Sequence, residues 1–130
     1  MKYIMAHDLG TTGDKATLFS QTGSLVASSF AGYETFYPGP GMVEQDPEAW
    51  WTAFCKTTSE IVQMAEIDTK NISALSISGQ MMAVVPVDRS GELLRRSIIW
   101  ADSRSTEQVE ELLAKVPASD LYKITGSRLS

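Results

Sequence analysis

The chain has 130 residues, 43% hydrophobic and 21% charged, with 11 basic side chains against 16 acidic and a formal net charge of −5. A typical domain takes roughly 100–200 residues, so there is room for one domain and not two. The acidic balance excludes a non-specific nucleic-acid binder, which needs a basic face to release counterions. The single cysteine, Cys55, excludes an intrachain disulfide and a cysteine-rich zinc site. No apolar stretch reaches the roughly 18 residues of a membrane span, and Met1–Asp8 lacks the apolar run of a secretory leader. The expectation is a soluble cytoplasmic domain with neither membrane nor nucleic acid as partner. Its oligomeric state is not legible.

Lys2–Asp8 is a short apolar run ending in an acid and reads as a buried strand. Gly10-Thr11-Thr12-Gly13 is a turn, Lys15–Ser20 alternates as a second strand, Gln21-Thr22-Gly23 turns again, and Leu25–Tyr33 is a third strand. Three short strands joined by glycine turns predict an antiparallel meander. The loop Glu34–Gln45 carries Pro38-Gly39-Pro40-Gly41 and ends where Asp46-Pro47-Glu48 supplies an N-cap, a first-turn proline and a first-turn acid. The helix that follows should run about five turns, with Trp50, Phe54, Ile61 and Ala65 on its buried face and Trp51, Thr58 and Val62 beside them. Cys55 is expected as an inert buried thiol on that helix. The three tryptophans, Trp50, Trp51 and Trp100, are expected in the core and not as sugar-stacking platforms, although Trp100 borders the candidate site.

Asn71–Ser78 is small and β-branched on both faces, as in a central strand covered on each side. Ala83–Val87 and Ser97–Trp100 read as strands flanking the Asp88–Gly91 turn. A helix is expected over Thr106–Lys115, with Val109, Leu112, Leu113 and Val116 inward and Ser105 and Gln108 forming a capping box. A short helical turn over Asp120–Thr125 should stop at Gly126. The order predicts an α/β fold with a mixed sheet, because a plain doubly wound fold would alternate strands and helices from the start.

The segment with the clearest chemistry is Asp8-Leu9-Gly10-Thr11-Thr12-Gly13-Asp14-Lys15-Ala16. Phosphate oxygens need backbone N–H groups in a tight concave turn together with hydroxyl donors, and Gly10 and Gly13 permit such a turn. A neighbouring carboxylate can hold Mg²⁺ against those oxygens. The segment is neither a Walker A loop nor a Gly-x-Gly-x-x-Gly turn, and an ordinary hairpin in which Thr11 and Thr12 merely satisfy turn groups is the competing reading. Asp14 is expected to be solvated. His7, the sole histidine, is expected as a hydrogen-bonded core residue and not as a catalytic base.

This segment resembles the first phosphate motif of the FGGY family of carbohydrate kinases, in the superfamily of actin, hexokinase and heat-shock-70 ATPases. Three further stretches resemble that family in the same order. Gly41-Met42-Val43-Glu44-Gln45-Asp46-Pro47-Glu48-Ala49-Trp50-Trp51 is similar to the segment leading into its first helix. Ser78-Gly79-Gln80-Met81 is similar to its sugar-contact loop, most closely in xylulokinases, and Trp100-Ala101-Asp102-Ser103-Arg104 to its Trp-x-Asp-x-Arg segment. The resemblance covers essentially the whole chain. It implies a ribonuclease-H-like core and ATP-dependent phosphorylation of a hydroxyl on a pentulose or related sugar, with gluconate or another polyol as alternative substrates.

By the resemblance, Asp8 would act at Mg²⁺ and the γ-phosphate, Gly10, Thr11 and Thr12 would form the phosphate hairpin, and Lys15 falls where the family often carries Lys or Arg. Gln80, Met81, Met82, Asp102 and Arg104 would border the sugar, which needs both donors and acceptors. Met82 stands where xylulokinases usually have histidine. Either it lines the pocket and signals a less hydroxylated substrate, or it packs inward and reports nothing about specificity. No catalytic base is expected within the chain, since the family's aspartate base and its adenosine pocket fall beyond Ser130. Residues 1–130 are therefore expected to be the N-terminal portion of such a kinase, inactive alone. The competing expectation is a non-catalytic sugar- or phosphate-binding module, or one partner of a split kinase.

Overall fold

A computed structural model describes residues 1–129. The three-strand meander forms as expected: β1 (Tyr3–Leu9), β2 (Gly13–Ser20) and β3 (Leu25–Gly32) pair antiparallel, with β1 and β2 in register from Tyr3 opposite Ser20 to Leu9 opposite Asp14. The predicted loop after Tyr33 carries two short strands, β4 (Thr35–Phe36) and β5 (Glu44–Gln45). The helix α1 (Pro47–Met64) is 18 residues long, and the Asp46 carboxylate caps it by accepting from the Glu48 N–H at 3.0 Å. After a single 3₁₀ turn, β6 (Ile72–Gly79) returns to pair parallel with β1. A four-stranded mixed sheet of order β3-β2-β1-β6 results, and β7 (Ser97–Ile98) joins β4 and β5 in a second, three-stranded sheet.

The period-2 alternation of strands decides what lies beneath α1. Met5 and His7 of β1 point to the same face as Asp14, Ala16, Leu18 and Ser20 of β2, and all six are buried. Met5, Ala16 and Leu18 pack against Ile61 of α1 to form the core, ringed by Tyr3, Ala27, Val62, Ala65, Ile67 and Ile72. Sealing a side chain of this size from water contributes about 1.5–3 kcal/mol. The buried stripe of α1 is Ala53, Thr57 and Ile61, one step round from the expected Trp50–Phe54–Ile61–Ala65 line. Trp50 and Phe54 are half-buried, whereas Trp51, Trp100 and Cys55 are exposed, contrary to expectation. The helix lies over β2 and β3 more than β1, and Trp51, stacked on Phe54 of its own helix at 5.4 Å, keeps its outer side exposed.

Other expectations are also corrected. β6 is an edge strand, not a central one, and Leu75 and Ile77, on the same face as Met5 and His7, are 47% and 57% exposed because α1 does not extend over it. The Asp88–Gly91 turn forms, with the Asp88 carboxylate accepting from the Ser90 and Glu92 N–H groups, but the flanking strands reduce to isolated bridges and β7. The helix α2 (Thr106–Lys115) has the expected bounds. Its Ser105 makes no capping bond, and its apolar stripe is not buried. The helix α3 (Ala118–Thr125) ends as expected at Gly126, in the left-handed region at φ 71°. No helix among the described residues is long and apolar enough to cross a membrane.

Candidate active site

The turn between β1 and β2 is closed by Gly10 N–H donating to the Gly13 carbonyl at 3.0 Å. Gly13 cannot carry a side chain, since a Cβ there would lie 2.5 Å from the Ala31 carbonyl and the Phe30 ring. The turn carbonyls all face the body of the protein. Gly10 O accepts from the Tyr33 hydroxyl, Thr11 O from Gln45 Nε2 at 2.7 Å, and Thr12 O from Tyr33 N–H at 3.3 Å. The N–H groups of Thr11 and Thr12 have no acceptor among the described residues. A hairpin with carbonyls tied inward and amides free is suited to anions. Trp100 Nε1 donates to Thr11 Oγ1 at 3.0 Å, so the threonine's own O–H remains available as a donor.

Tyr33 and Gln45 were missed as site residues in the sequence because their partners lie 23 and 34 positions away. Burial first, and then the charges of Asp14 and Asp8, push the Tyr33 phenol up to about 12, which keeps the proton that braces Gly10.

Asp8 sits at the β1 end of this turn, exposed and without a hydrogen-bond or ion-pair partner among the described residues. It lies opposite Lys15 of β2, also exposed, on the sheet face that α1 does not cover. The two backbone donors and the free carboxylate fit a phosphate group with its cation, although no cluster of three or more metal-binding side chains exists among the described residues. Asp8 would be the protein's carboxylate on such a cation, with phosphate oxygens and water completing the shell, as Mg²⁺ tolerates.

Asp14 corrects the expectation of a solvated acid. Its side chain has no exposed surface, and its Oδ2 lies 2.9 Å from His7 Nδ1 and accepts from Thr57 Oγ1 at 2.5 Å. It shares strand parity with Ala16 and Leu18, so the sheet turns it inward under α1. His7 is 2% exposed, with Nε2 3.3 Å from Thr58 Oγ1 and its ring against Phe54 at 4.0 Å, the core histidine expected.

Parallel pairing brings the end of β6 beside the end of β1, and Gln80 N–H extends that pairing by donating to the Leu9 carbonyl at 2.9 Å. One cleft of about 400 Å³ is therefore lined by Asp8, Gly10, Thr11, Gln80, Met81, Met82 and Trp100, together with Gly79. Thr12 and Lys15 are not on its wall. Met81 and Met82 are 73% and 71% exposed, so Met82 lines the cleft and does not pack inward. Its φ of 58° is a strained left-handed conformation for a methionine.

Asp102 and Arg104 lie in an adjoining concavity that shares Met82 and Trp100 with the first. Their groups are engaged with each other. Arg104 donates Nε and Nη2 to the Asp102 carboxylate and Nη2 to Glu44 Oε1 at 2.8 Å, while Val43 N–H donates to Asp102 at 2.6 Å. The Arg104 bonds hold Asp102 down at about 2 and lower Glu44 as well; Arg104 is raised in return.

The mixed sheet of order β3-β2-β1-β6, with its glycine hairpin between β1 and β2, has the ribonuclease-H-like fold of the actin-like ATPases. Solved structures agree. Gluconate kinase from Lactobacillus acidophilus superposes with a TM-score of 0.86 at 34% identity, covering 94% of this chain and 24% of that one. Plasmodium falciparum glycerol kinase, solved with ADP, superposes at 0.87 with 26% identity, covering 100% of this chain and 26% of that one. In sequence, the xylulose kinase of Bacillus subtilis strain 168 is 33% identical over 129 residues, which are 99% of this chain and 26% of that protein. Residues 3–130 match the N-terminal domain of the FGGY family of carbohydrate kinases, and the chain belongs to that family. It spans about a quarter of the length of these relatives.

Proposed function

We propose that this chain is the N-terminal portion of an ATP-dependent kinase that phosphorylates a hydroxyl of a pentulose such as xylulose or of a related polyol. The observation that carries the reading is the single cleft that sets the Asp8 carboxylate and the Thr11 hairpin against the Gln80–Met82 loop. Phosphoryl transfer asks mostly for positioning and charge compensation, and this cleft is built for both. Bound Mg²⁺–ATP would supply the phosphoryl group and the cation that neutralises its developing charge. Asp8 holds the cation, the amides of Thr11 and Thr12 and the Thr11 hydroxyl hold phosphate oxygens, and Gly10 closes the hairpin that presents them. Lys15 contributes positive charge from the same sheet face. Gln80 and Trp100 contact the sugar, Met81 and Met82 give it an apolar wall, and the Asp102–Arg104 pair fixes the floor next to them.

Two methionines on the wall argue for a substrate with an unhydroxylated or weakly polar edge there, since a hydroxyl facing a thioether loses its partner. The base that accepts the substrate proton, the adenosine pocket and the cover for β6 come from further polypeptide, continuous with this segment or supplied by a separate chain. The exposed edge of β6 favours such a completing element. We place the whole protein in the cytoplasm.

The test is sugar-dependent ATP turnover by the longest polypeptide carrying this segment, screened with pentuloses, hexuloses, glycerol and gluconate. Asp8→Asn should lower kcat by roughly a hundredfold or more, as expected for a group acting on transition-state charge. Unchanged turnover in that variant overturns the role of Asp8. Turnover by the 130-residue chain alone overturns the claim that it is only a portion.

A further inference from the structure

Gln45 ends β5 and has no exposed surface, yet it carries a primary amide, a group that destabilises a core unless its donors and acceptors are paired. Such an amide has two N–H donors and two acceptor lone pairs, and here all four are engaged. Nε2 donates to the Thr11 carbonyl at 2.7 Å and to Thr35 Oγ1 at 2.7 Å. Oε1 accepts from Trp50 Nε1 at 3.0 Å and from Gln80 Nε2 at 2.9 Å. The orientation follows from chemistry alone. An indole N–H can only donate and a peptide carbonyl can only accept, so turning the amide over would set donor against donor and acceptor against acceptor. The same logic orients Gln80, which must present Nε2 to Gln45 and turn its Oε1 away; that oxygen has no partner among the described residues.

We propose that Gln45 is a positioning residue that holds the phosphate hairpin and the Gln80–Met82 loop in one fixed relation, anchored to α1 through Trp50. The proposal rests on the reading of the cleft as a kinase site. Thr11 and Gln80 belong to turns at the ends of different strands, and a shift of about 1 Å between them would cost on the order of a hundredfold in a reaction that depends on alignment. No other side chain reproduces the four bonds. Glutamate would press carboxylate oxygens against the Thr11 carbonyl, histidine has one group on each side, and methionine keeps the volume with none of the bonds. Gln45 therefore fixes how the Gln80 amide is turned, with one Nε2 N–H spent on Gln45 and the buried Oε1 left without a partner among the described residues.

The experiment is site-resolved amide hydrogen exchange by NMR on this chain, comparing the wild type with Gln45→Met and Trp50→Phe. Core amides of β2 and α1 report global opening. The amides of Gly10, Tyr33 and Gln80, which close the hairpin and join the two turns, report the proposed link. In Gln45→Met these three should exchange roughly tenfold faster than the change in the core amides accounts for. Trp50→Phe removes one of the four bonds and should act in the same direction, by about threefold. Hairpin and Gln80 amides that change only in step with the core overturn the proposal. Should Gln45→Met fail to fold, Trp50→Phe decides by the same criterion. No ligand or turnover is read, so a failure of the kinase reading would appear only in the turnover assay.

Discussion

The face of the sheet beneath α1 and the surfaces of β6 and α2 carry comparable aliphatic side chains that meet different fates. Met5, Leu18 and Ile61 have no exposed surface, whereas Leu75 and Ile77 are about half exposed and Leu112 and Leu113 are each 38% exposed. Both regions have the right period, 2 along the strands and 3.6 along the helices. Periodicity sets the direction of a side chain; burial needs a second element at the correct distance. The described chain supplies α1 for β1, β2 and β3 but nothing for β6 or α2. That difference is what a segment spanning about a quarter of its relatives' length would present, and it supports the proposal that further polypeptide completes the second region.

The comparison breaks if core substitutions turn out alike in the two regions. Ile61→Ala should cost about 4 kcal/mol in urea unfolding, because a packed methyl-rich site collapses poorly around the cavity. Asp14→Ala should cost about 3 kcal/mol, since it strands His7 and Thr57 without their shared buried acceptor. Thermal or urea unfolding reads both. A smaller effect is expected in acid. The folded-state pKa values of Asp102 and Glu44 are lowered, so their stabilisation is present above the unfolded value near 4 and is lost as pH falls toward about 2. The urea midpoint should therefore drop over that window, and Arg104→Met should flatten the slope. The smallest change belongs to the open region: Leu113→Ala or Leu75→Lys should move stability by no more than about 0.5 kcal/mol. A loss above about 1.5 kcal/mol at either position would mean that α2 or β6 already packs, and the contrast would fail.

Much of the first region was legible because its signals are local. Glycine turns mark the ends of β1, β2 and β3, and Asp46-Pro47-Glu48 marks the start of α1 by groups within two residues of each other. Asp14 could have been found, since it shares parity with Ala16 and Leu18 on the buried side of β2. The expectation of a solvated acid has strand alternation turn Asp14 outward, whereas its parity with Ala16 and Leu18 turns it under α1, beside His7 of the neighbouring strand. Gln45 and Tyr33 had no comparable signal. Their partners are loop carbonyls far away in the chain, and a carbonyl leaves no mark in the sequence. Trp51 and Cys55 are read as buried from their place on the helix and Trp100 from its residue type, and neither signal carries information about whether a covering element exists.

The sequence by itself determined the strand order of the meander, the start of α1, the glycine hairpin between β1 and β2 and the membership of the FGGY carbohydrate kinases, because these rest on short-range geometry and contiguous motifs. Only the tertiary structure decided that Gln80–Met82 shares a cleft with Asp8 and Thr11, that Asp102 and Arg104 are bonded to each other, and that β6 is an edge. Those outcomes depend on parallel pairing across some 70 residues and on which surfaces find a partner. Long-range pairing is a property of the folded chain as a whole, and no local pattern encodes it.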